Sequence, residues 1–332
     1  MVNASASEMI AVFLRHNTVP CWEMTSAQGQ LLERLLPGVR VVLCATEQDF
    51  CRELTTASIA ITWHCQQQWL EQASKLRILA TPAAGKDYFT VTLPPEVTLL
   101  NGQFHGPLIA ETAVGALLAM CRGILPAASR YASQPWPRHE ISIRMQPLHG
   151  SLVGILGFGH IGQAIGAMLK PFGVRIAGCR RDIHAPCPAW FVPGQDKCFT
   201  VAELDAELPS LAHLILALPR SGETDNILDA RRLALLPAGA TVSNYGRGNA
   251  IVLPALLEAL HSGHLAGAYL DVFPQEPLPA DAEILACPNL WRLPHISTAA
   301  ANYLDLFVHD FVRQYNIWRS QPAALRGPQT EV

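Results

Sequence analysis

Short apolar runs alternate with helix-like segments through the first hundred residues. Five of the runs predict strands, at 10–14, 39–43, 59–62, 76–80 and 97–100. Helix candidates such as 27–36 and 67–73 lie between them. Strands that alternate with helices are typical of a parallel sheet covered on both faces. The pattern therefore predicts a small α/β domain in the first part of the chain.

A second α/β unit follows a long helix candidate, 108–122. Pro135 and Pro137 flank Trp136 between the two, so an extended arm is predicted there rather than a regular helix. Further strand candidates lie at 152–156, 174–178, 213–218, 241–244 and 267–270. The last apolar segment, 299–319, predicts a helix that packs back on the first domain. The first domain is then discontinuous, and the second is inserted into it.

Composition narrows the class of protein. The chain has 332 residues, half of them hydrophobic and 15% charged, which suits two fully folded domains. A net charge of -3 gives no basic excess for nucleic acid. Nine cysteines without a CxxC spacing predict no metal site and favour a reducing compartment. No apolar run is long enough to span a membrane, so a cytoplasmic protein is expected.

A glycine-rich stretch, GILGFGHIG at 154–162, lies between a strand candidate and a helix candidate. The next strand completes a βαβ unit, the setting in which such a stretch binds a dinucleotide. Gly157 would permit the tight turn, Gly159 the close approach of a pyrophosphate, and Gly162 the packing of helix on strand. The helix N-terminus would attract the phosphates. The alternative is a strand–helix turn without a ligand.

The end of the second strand of this βαβ unit bears on the choice between NAD and NADP. An NAD site places an acidic residue there to bind the ribose 2′-hydroxyl. Here Arg180 lies 23 residues after Gly157, and Arg181 follows it. Guanidinium groups pair with a 2′-phosphate, which a carboxylate would repel. NADP(H) is therefore favoured. NAD(H) is the alternative, with both arginines solvated and Asp182 on the ribose.

Three later stretches follow strand candidates: SNYGRGNAIV at 243–252, LDVFPQEPLP at 270–279 and LPHIS at 293–297. With GFGHIG, in this order and spacing, they resemble the D-isomer-specific 2-hydroxyacid dehydrogenase family. The resemblance covers nearly the whole chain and is looser in the first domain. It implies an α/β fold of two doubly wound parallel sheets. A Rossmann cofactor domain, 108–298, would be inserted into a flavodoxin-like substrate domain formed by 1–107 and 299–332.

The residue types in these stretches suit the reduction of a 2-oxo acid. Arg247 offers a fork of donors for the substrate carboxylate and carbonyl oxygens. His295 is a suitable proton donor because imidazole titrates near neutrality. Glu276 can accept a hydrogen bond from the other ring nitrogen, and its charge favours the imidazolium. The resemblance gives Arg247, Glu276 and His295 these three catalytic roles.

The resemblance also implies the cofactor contacts. It places Asp271 against the nicotinamide end, and His160 and Ile161 at the pyrophosphate. Further contacts are expected from the backbone of Leu218, Pro219, Tyr245 and Gly246. The ring of Tyr245 either covers the nicotinamide or packs in the interior.

The substrate carboxylate is expected on a loop that contains Ala84, Gly85 and Lys86. The family more often has an apolar residue at the position of Lys86. The Lys86 side chain either binds a second acidic or hydroxyl group of the substrate or points to solvent. His105 either lines the cleft or packs at a domain hinge. Arg220 is a further candidate for the 2′-phosphate, though a weaker one than the two arginines after the second strand.

Each catalytic candidate also has a purely structural interpretation. Arg247 would be a surface arginine in a glycine turn, Glu276 a loop acid between two prolines, and His295 a residue that caps the end of a strand. All three, however, fall in loops after predicted strands of one sheet. Such loops form the ligand edge of a parallel α/β sheet, which favours the functional interpretation.

The sequence therefore predicts an NADP(H)-preferring oxidoreductase that reduces a small 2-oxo acid, for example glyoxylate or hydroxypyruvate. The reaction would take place in a cleft between two domains, with no metal, nucleic acid or membrane involved. The resemblance implies a homodimer joined through the cofactor domains, at the long helix and the Trp136 arm. One alternative is formate or phosphite oxidation, and Glu276 argues against formate. The other is a nucleotide-sensing, corepressor-like protein without turnover.

Overall fold

The computed structural model describes residues 8–85 and 89–322. These residues divide into two compact units. One unit comprises the described residues up to His105 together with those from Ala299 onward, and the other comprises Gly106–Thr298. Lys86, a predicted substrate contact, lies outside the described residues.

The first unit contains, among its described residues, a five-stranded parallel sheet. Its strands are β1 (Met9–Phe13), β2 (Arg40–Leu43), β3 (Ile59–Thr62), β4 (Ile78–Thr81) and β5 (Thr98–Asn101). They lie in the order β2-β1-β3-β4-β5, which is the flavodoxin-like doubly wound order. All residues of β3 and β4 are buried, as expected for strands covered on both faces. The helices are α1 (Ser26–Leu35), α2 (Glu47–Leu54), α3 (Gln67–Gln72) and a C-terminal helix (Tyr303–Ser320).

The second unit contains a seven-stranded parallel sheet in its described residues. The strands are β6 (Leu152–Leu156), β7 (Arg175–Cys179), β8 (Lys197–Phe199), β9 (His213–Leu216), β10 (Ala240–Asn244), β11 (Leu265–Leu270) and β12 (Leu290–Arg292). Their order, β12-β11-β10-β9-β6-β7-β8, contains the dinucleotide-binding arrangement with one further strand at the β12 edge. The chain reverses its winding between β6 and β9, and ligands bind such sheets at that switch point.

Helices cover both faces of this sheet. They are α4 (His105–Cys121), α5 (Ile124–Ala128), α6 (Arg138–Ser142), α7 (His160–Leu169), α8 (Leu204–Glu207), α9 (Ala230–Leu235) and α10 (Leu253–His261). Val153 and Ile155 of β6 pack in the cluster that includes α4 and α7. Leu152 and Leu156 of the same strand pack in the cluster on the opposite face. The central strand is thus buried on both faces, which explains its continuous apolar sequence.

The predicted fold class is confirmed, with three local differences. The prediction of an extended arm is wrong for α6, which begins directly after Pro137. Proline disrupts a helix interior but is tolerated at its start, so the two prolines do not exclude this helix. The edge strands β8 and β12 were not predicted, because three residues are too short to show a pattern. None of the described helices combines the length and apolar character needed to cross a bilayer.

Candidate functional site

Five loops of the second unit leave the same edge of its sheet, because the strands are parallel. They follow β6, β9, β10, β11 and β12. The predicted residues Gly157, Leu218, Arg247, Asp271 and His295 lie in these loops, one in each. The fold therefore brings residues more than a hundred positions apart to one edge of one sheet.

The glycine loop after β6 has the backbone that a dinucleotide requires. Gly157 has φ +93, and a Cβ there would lie 2.5 Å from the Ala217 carbonyl oxygen. A Cβ at Gly162 would lie 2.2 Å from the Gly157 carbonyl oxygen, so α7 packs directly on the turn. A Cβ at Gly159 would meet no heavy atom of the described residues within 4 Å. The turn is thus closed on its inner side and open at Gly159, where a pyrophosphate would approach.

The helix α7 begins at His160, with Gly159 as its N-cap. Gly159 and His160 are exposed, whereas Ile161 is half-buried and Gly162 is buried. The unpaired N–H groups of the first turn give this exposed end a partial positive charge. Phe158, which the sequence did not single out, is buried, and a Cβ at Gly178 would lie 2.3 Å from its ring. Its packing fixes the loop against the neighbouring strand β7.

The loops after β9 and β10 approach each other through their backbones. A Cβ at Gly246 would lie 2.4 Å from the Leu218 carbonyl oxygen. The Pro219 carbonyl accepts a hydrogen bond from the Thr224 hydroxyl at 2.8 Å, and Pro219 and Arg220 are exposed. The ring of Tyr245 is buried and stacks with Tyr269 at a centroid distance of 6.1 Å. Of the two interpretations of that ring, the structure shows packing in the interior.

Asn244 holds the loop that carries Arg247. Its side-chain oxygen accepts a hydrogen bond from the Gly246 N–H at 3.0 Å, and its amide nitrogen donates to the Arg247 carbonyl at 2.9 Å. The Arg247 guanidinium donates from Nη1 to the Gly246 carbonyl at 3.0 Å. A Cβ at Gly248 would lie 1.9 Å from the Phe273 carbonyl carbon, so this loop packs tightly on the loop after β11.

Glu276 and His295 form a hydrogen-bonded pair. His295 Nδ1 lies 2.7 Å from Glu276 Oε2, and each side chain is 35% exposed. The other carboxylate oxygen of Glu276 accepts a hydrogen bond from the Phe273 N–H at 2.8 Å. Because Nδ1 faces the carboxylate, Nε2 is the ring nitrogen available to a substrate. The structure thus brings together the two residues that the sequence predicted as an acid–base pair.

Several opposing effects act on the Glu276 carboxyl. Partial burial raises its pKa, while the hydrogen bonds from His295 and from the Phe273 N–H lower it. The charges of His295 and Arg247 lower it further, and the net result is a pKa below the usual value. Glu276 is therefore a carboxylate at neutral pH. The tight packing of Gly248 on Phe273 agrees with an effect of the Arg247 charge on this carboxyl.

Asp271 is 1% exposed, and its carboxylate fixes the backbone after His295. Oδ1 accepts hydrogen bonds from the Ile296 N–H at 2.9 Å and the Ser297 N–H at 3.1 Å, and Oδ2 accepts one from the Ser297 hydroxyl. The Asp271 carbonyl accepts the His295 N–H at 2.8 Å. His295 itself has φ +55, an uncommon conformation for a residue with a side chain. These bonds hold His295 in that conformation.

The two arginines after β7 differ in their surroundings. The Arg180 guanidinium bonds the carbonyls of its own loop, at 3.2 Å for Ile183, 2.5 Å for Ala185 and 3.3 Å for Pro186. Arg181 is 79% exposed and lies 3.7 Å from the equally exposed Glu223. Asp182 caps its own turn by accepting the His184 N–H at 2.8 Å. The guanidinium that reaches solvent is that of Arg181.

The predicted substrate loop follows β4 in the first unit. Ala84 is exposed, and the Gly85 carbonyl accepts a hydrogen bond from the Asn101 amide at 3.0 Å. His105 is buried and its Nε2 lies 3.0 Å from the Tyr303 hydroxyl. For His105 the structure therefore shows packing within the first unit. In the described ranges 8–85 and 89–322, no cluster of three metal-ligating side chains occurs.

Three residues that support the site had no signal of their own in the sequence. Asn244 bonds the Gly246 N–H, the Phe158 ring packs on Gly178, and the Ser297 hydroxyl bonds the Asp271 carboxylate, and only the assembled loops create these contacts. All three residues lie inside the stretches that carry the family resemblance, so their positions were known from the sequence but their contacts were not. The parallel sheet, the glycine loop and the Glu276–His295 pair at one edge are typical of a dinucleotide-dependent oxidoreductase.

Comparison with known proteins specifies this class further. The family model for D-isomer specific 2-hydroxyacid dehydrogenase, NAD binding domain, matches residues 114–297. The chain belongs to the D-isomer-specific 2-hydroxyacid dehydrogenase family. Glyoxylate/hydroxypyruvate reductase B of Pectobacterium carotovorum subsp. carotovorum (strain PC1) is 32% identical over 240 residues, 70% of this chain and 72% of that protein.

Solved structures show the same likeness over most of the chain. A D-isomer specific 2-hydroxyacid dehydrogenase family protein of Aeromonas salmonicida subsp. salmonicida A449 has a TM-score of 0.75 and 29% identity, covering 95% of this chain and 97% of its own. The NADPH-dependent glyoxylate/hydroxypyruvate reductase of Sinorhizobium meliloti, solved with NADP and sulfate, has a TM-score of 0.76 and 25% identity. That match covers 95% of this chain and 96% of the other.

Proposed function

We propose that this protein is an NADP(H)-preferring reductase of small 2-oxo acids such as glyoxylate and hydroxypyruvate. The observation that carries the proposal is the 2.7 Å bond between His295 Nδ1 and Glu276 Oε2, in loops of the sheet that also carries the glycine turn. Arg247 contributes a cation near the pair. A proton donor and a carboxylate-binding cation are what reduction of a 2-oxo acid requires of the protein.

The residues that would hold the cofactor fit a dinucleotide. The open side of Gly159 and the exposed start of α7 would receive the pyrophosphate, with His160 and Ile161 beside it. The backbones of Leu218, Pro219, Tyr245 and Gly246 would border the cofactor. The dihydronicotinamide supplies a hydride when it is bound. On this proposal residues 108–298 are the dinucleotide-binding domain, and residues 1–107 and 299–332 are the substrate-binding domain.

The preference for NADP(H) rests on Arg181. Its exposed guanidinium follows the second strand, where a 2′-phosphate would lie, and Glu223 is its exposed neighbour. Arg180 would contribute if its guanidinium exchanged the loop carbonyls for phosphate oxygens. The Sinorhizobium meliloti relative is described as NADPH-dependent, which agrees with this choice.

The hydrogen bond between His295 and Glu276 supports the following roles for the protein residues. Arg247 binds the substrate carboxylate and the carbonyl oxygen. His295 donates a proton from Nε2 to the carbonyl oxygen as the alcohol forms. Glu276 stabilises the imidazolium before the transfer and fixes the ring through Nδ1. The Asp271 carboxylate keeps the His295 backbone in place.

A homodimer and a cytoplasmic location complete the proposal. The segment 124–145, which contains the Trp136 arm, exposes Ile124, Trp136 and Ile143 by 60%, 75% and 65%. A cavity of about 190 Å³ lies beside it, lined in part by Tyr131 and Ile143. Large exposed apolar side chains in one segment are typical of a surface that a partner covers. All nine cysteines lie in the described residues as free thiols, which suits a reducing compartment.

The test is the initial rate of reduced-cofactor oxidation, measured with NADPH and NADH for glyoxylate, hydroxypyruvate and pyruvate. We expect turnover that favours NADPH and is lost in Arg247→Ala. Arg231→Ala is the matched control. Arg231 is an exposed arginine of α9 that pairs with Asp205 and lies outside the loops of the candidate site. Turnover with NADH alone would overturn the cofactor preference. A protein that binds NADPH and reduces none of the acids would overturn the proposed activity.

A further inference from the structure

The segment 188–196, which leads from the loop after β7 into β8, has no part in the proposed reaction. Its aromatic residues Trp190 and Phe191 are half-buried. Both rings pack against the hydrophobic cluster that contains the buried Phe158. Phe158 directly follows Gly157 in the glycine loop. The segment therefore packs against the loop that would receive the pyrophosphate.

The Trp190 ring contacts both Phe158 and helix α7. The centroids of the Trp190 and Phe158 rings lie 6.0 Å apart with an interplanar angle of 85°, the edge-to-face arrangement that aromatic pairs favour. A Cβ at Gly166 of α7 would lie only 2.5 Å from Trp190 Cη2. Phe191 adds a third ring, whose centroid lies 6.4 Å from that of Phe158 and 6.2 Å from that of Trp190. Trp190 thus links the glycine loop to the middle of the helix that follows it.

Asp196 anchors the other end of the segment. Its side chain is fully buried, and both of its carboxylate oxygens lie 2.8 Å from Nζ of Lys170, the residue after α7. Oδ1 also accepts the Ile176 N–H of β7 at 2.8 Å, and Oδ2 accepts the Val192 N–H at 2.8 Å. A buried carboxylate with all these partners makes its surroundings rigid. It joins the segment to the strand and the helix on either side of it.

We propose that Trp190 is a positioning residue for the pyrophosphate of the dinucleotide, and that Asp196 holds it in place. Trp190 acts through the Phe158 ring. The Phe158 N–H donates to the Cys179 carbonyl at 2.8 Å, and the Gly157 N–H donates to the same oxygen at 3.1 Å. Backbone and ring together therefore fix the turn. This inference rests on the proposed function, because it concerns the cofactor site of that reaction.

The expected consequence is an equal change in affinity for both cofactors. A shift of the Phe158 ring would move Gly159 and the start of α7, because they follow directly in the chain. The N–H groups there would bind the pyrophosphate, and hydrogen bonds weaken steeply when their geometry changes. Weakening of one bond to a charged group predicts a Kd raised roughly tenfold. NADPH and NADH share the pyrophosphate, so their Kd values should rise by the same factor.

The test is a titration of the full chain, followed by the fluorescence of the dihydronicotinamide, that gives the Kd for NADPH and NADH. We expect Trp190→Leu to raise both values roughly tenfold. Trp190→Phe should restore most of the affinity, because a ring again packs on Phe158. The matched control is Trp69→Leu, since Trp69 is a buried tryptophan of α3 that packs on Phe50 in the first unit. It should lower stability in urea and leave both Kd values unchanged.

A substitution on the helix side of the contact provides an independent test. Gly166→Ala places a methyl group against the Trp190 ring, and alanine is favoured over glycine within a helix. We expect Gly166→Ala alone to raise both Kd values. In Trp190→Leu it should add nothing, because the ring that it displaces is missing. Equal effects in the two backgrounds would overturn the inference, since Gly166 would then act independently of Trp190.

The remaining outcomes separate this inference from the proposed function. Unchanged Kd values in a folded Trp190→Leu protein would overturn the inference, because the segment would then serve stability alone. A rise for NADPH alone would also overturn it and would point to the arginines after β7. The expected Kd changes in a protein that reduces no 2-oxo acid would support the inference and overturn the proposed activity alone.

Discussion

Two carboxylates in the loop after β11 have different tasks although only five positions separate them. Glu276 is partly exposed and pairs with the His295 ring. Asp271 is buried and pairs with the backbone that follows His295. The first sets the orientation of the imidazole, and the second sets the position of the residue that carries it. The proposed acid thus depends on one carboxylate for its ring and on another for its backbone.

Replacing Asp271 with asparagine tests the second task. The amide would place an NH₂ group or a single oxygen where a carboxylate now accepts several hydrogen bonds. Loss of charge-assisted bonds in a buried site predicts a fall of roughly 2 kcal/mol in the free energy of unfolding. Urea denaturation measures it, with the exposed Asp281→Asn as the control. Unchanged stability with weakened NADPH binding would instead favour a direct contact of Asp271 with the nicotinamide.

Substitution of Arg181 tests the recognition of the 2′-phosphate of NADPH. We expect Arg181→Gln to raise the KM for NADPH roughly tenfold, because a charge-assisted bond to the 2′-phosphate is lost. The KM for NADH should not change. Arg175→Gln is a suitable control, since Arg175 begins β7 at the end of the strand opposite Arg180. Equal effects on both cofactors would argue against 2′-phosphate recognition by Arg181.

The sequence predicted which residues lie at the candidate site better than it predicted the groups that their side chains contact. Arg180 and Arg181 are equivalent in the sequence pattern. Only the fold of segment 182–187 shows that the first binds its own loop while the second faces solvent. The ring of Tyr245 had two interpretations because its packing on Tyr269 depends on the neighbouring strand. Side-chain partners within loops follow from three-dimensional contacts, which periodicity does not encode.

In the sheet of the second unit, the sequence predicted the inner strands and missed the two edge strands. A strand buried on both faces, such as β6, is a continuous apolar run and is recognisable in isolation. The edge strands β8 and β12 have three residues each and include charged residues. The turn between β6 and α7 was predictable because each glycine meets a separate backbone requirement: a tight turn, the approach of a pyrophosphate, and the packing of helix on strand.

Alanine substitutions at two of these glycines should separate folding from binding. A Cβ at Gly162 would clash with the Gly157 carbonyl, so Gly162→Ala should destabilise the protein by about 1–3 kcal/mol. A Cβ at Gly159 meets open space and should leave stability within about 0.5 kcal/mol. It should nevertheless weaken NADPH binding, because the methyl group lies where the pyrophosphate would approach. Thermal unfolding measures the stability of both variants, and fluorescence titration measures their Kd for NADPH.

If Gly159→Ala bound NADPH as tightly as the unsubstituted protein, the glycine loop would be only a turn. Loss of stability in Gly159→Ala to the same extent as in Gly162→Ala would show that both positions serve packing alone. Each result would remove the main structural support for the position of the cofactor.

For the whole molecule, the sequence predicted two α/β domains with one inserted into the other. The two observed strand orders are those of doubly wound parallel sheets. The units meet along the chain near His105 and Ala299, close to the predicted changes at 107 and 299. The sequence did not indicate which polar side chains are buried inside each sheet. His213 of β9, for example, lies beside Thr241 and Cys121 in the core of the second unit.

The burial of His213 predicts how the free energy of unfolding depends on pH. Burial lowers its pKa from 6.5 to about 4, so the folded state binds fewer protons than the unfolded state between these values. This contribution to stability is complete above pH 6.5 and is lost as pH falls towards 4, by roughly 3 kcal/mol at most. Urea denaturation at pH 7.5 and pH 5 should show the loss. His213→Asn should flatten the dependence, and the exposed His261→Asn should not.

His295 is the proposed proton donor of a reductase that binds NADPH. Its role is tested by comparing the unsubstituted protein with His295→Asn in the NADPH-dependent reduction of glyoxylate, together with the Kd for NADPH of each. We expect a kcat lowered roughly a hundredfold or more with an unchanged Kd, because removal of a positioned acid affects the chemical step and spares cofactor binding. If His295→Asn kept the kcat of the unsubstituted protein, another group would be the proton donor.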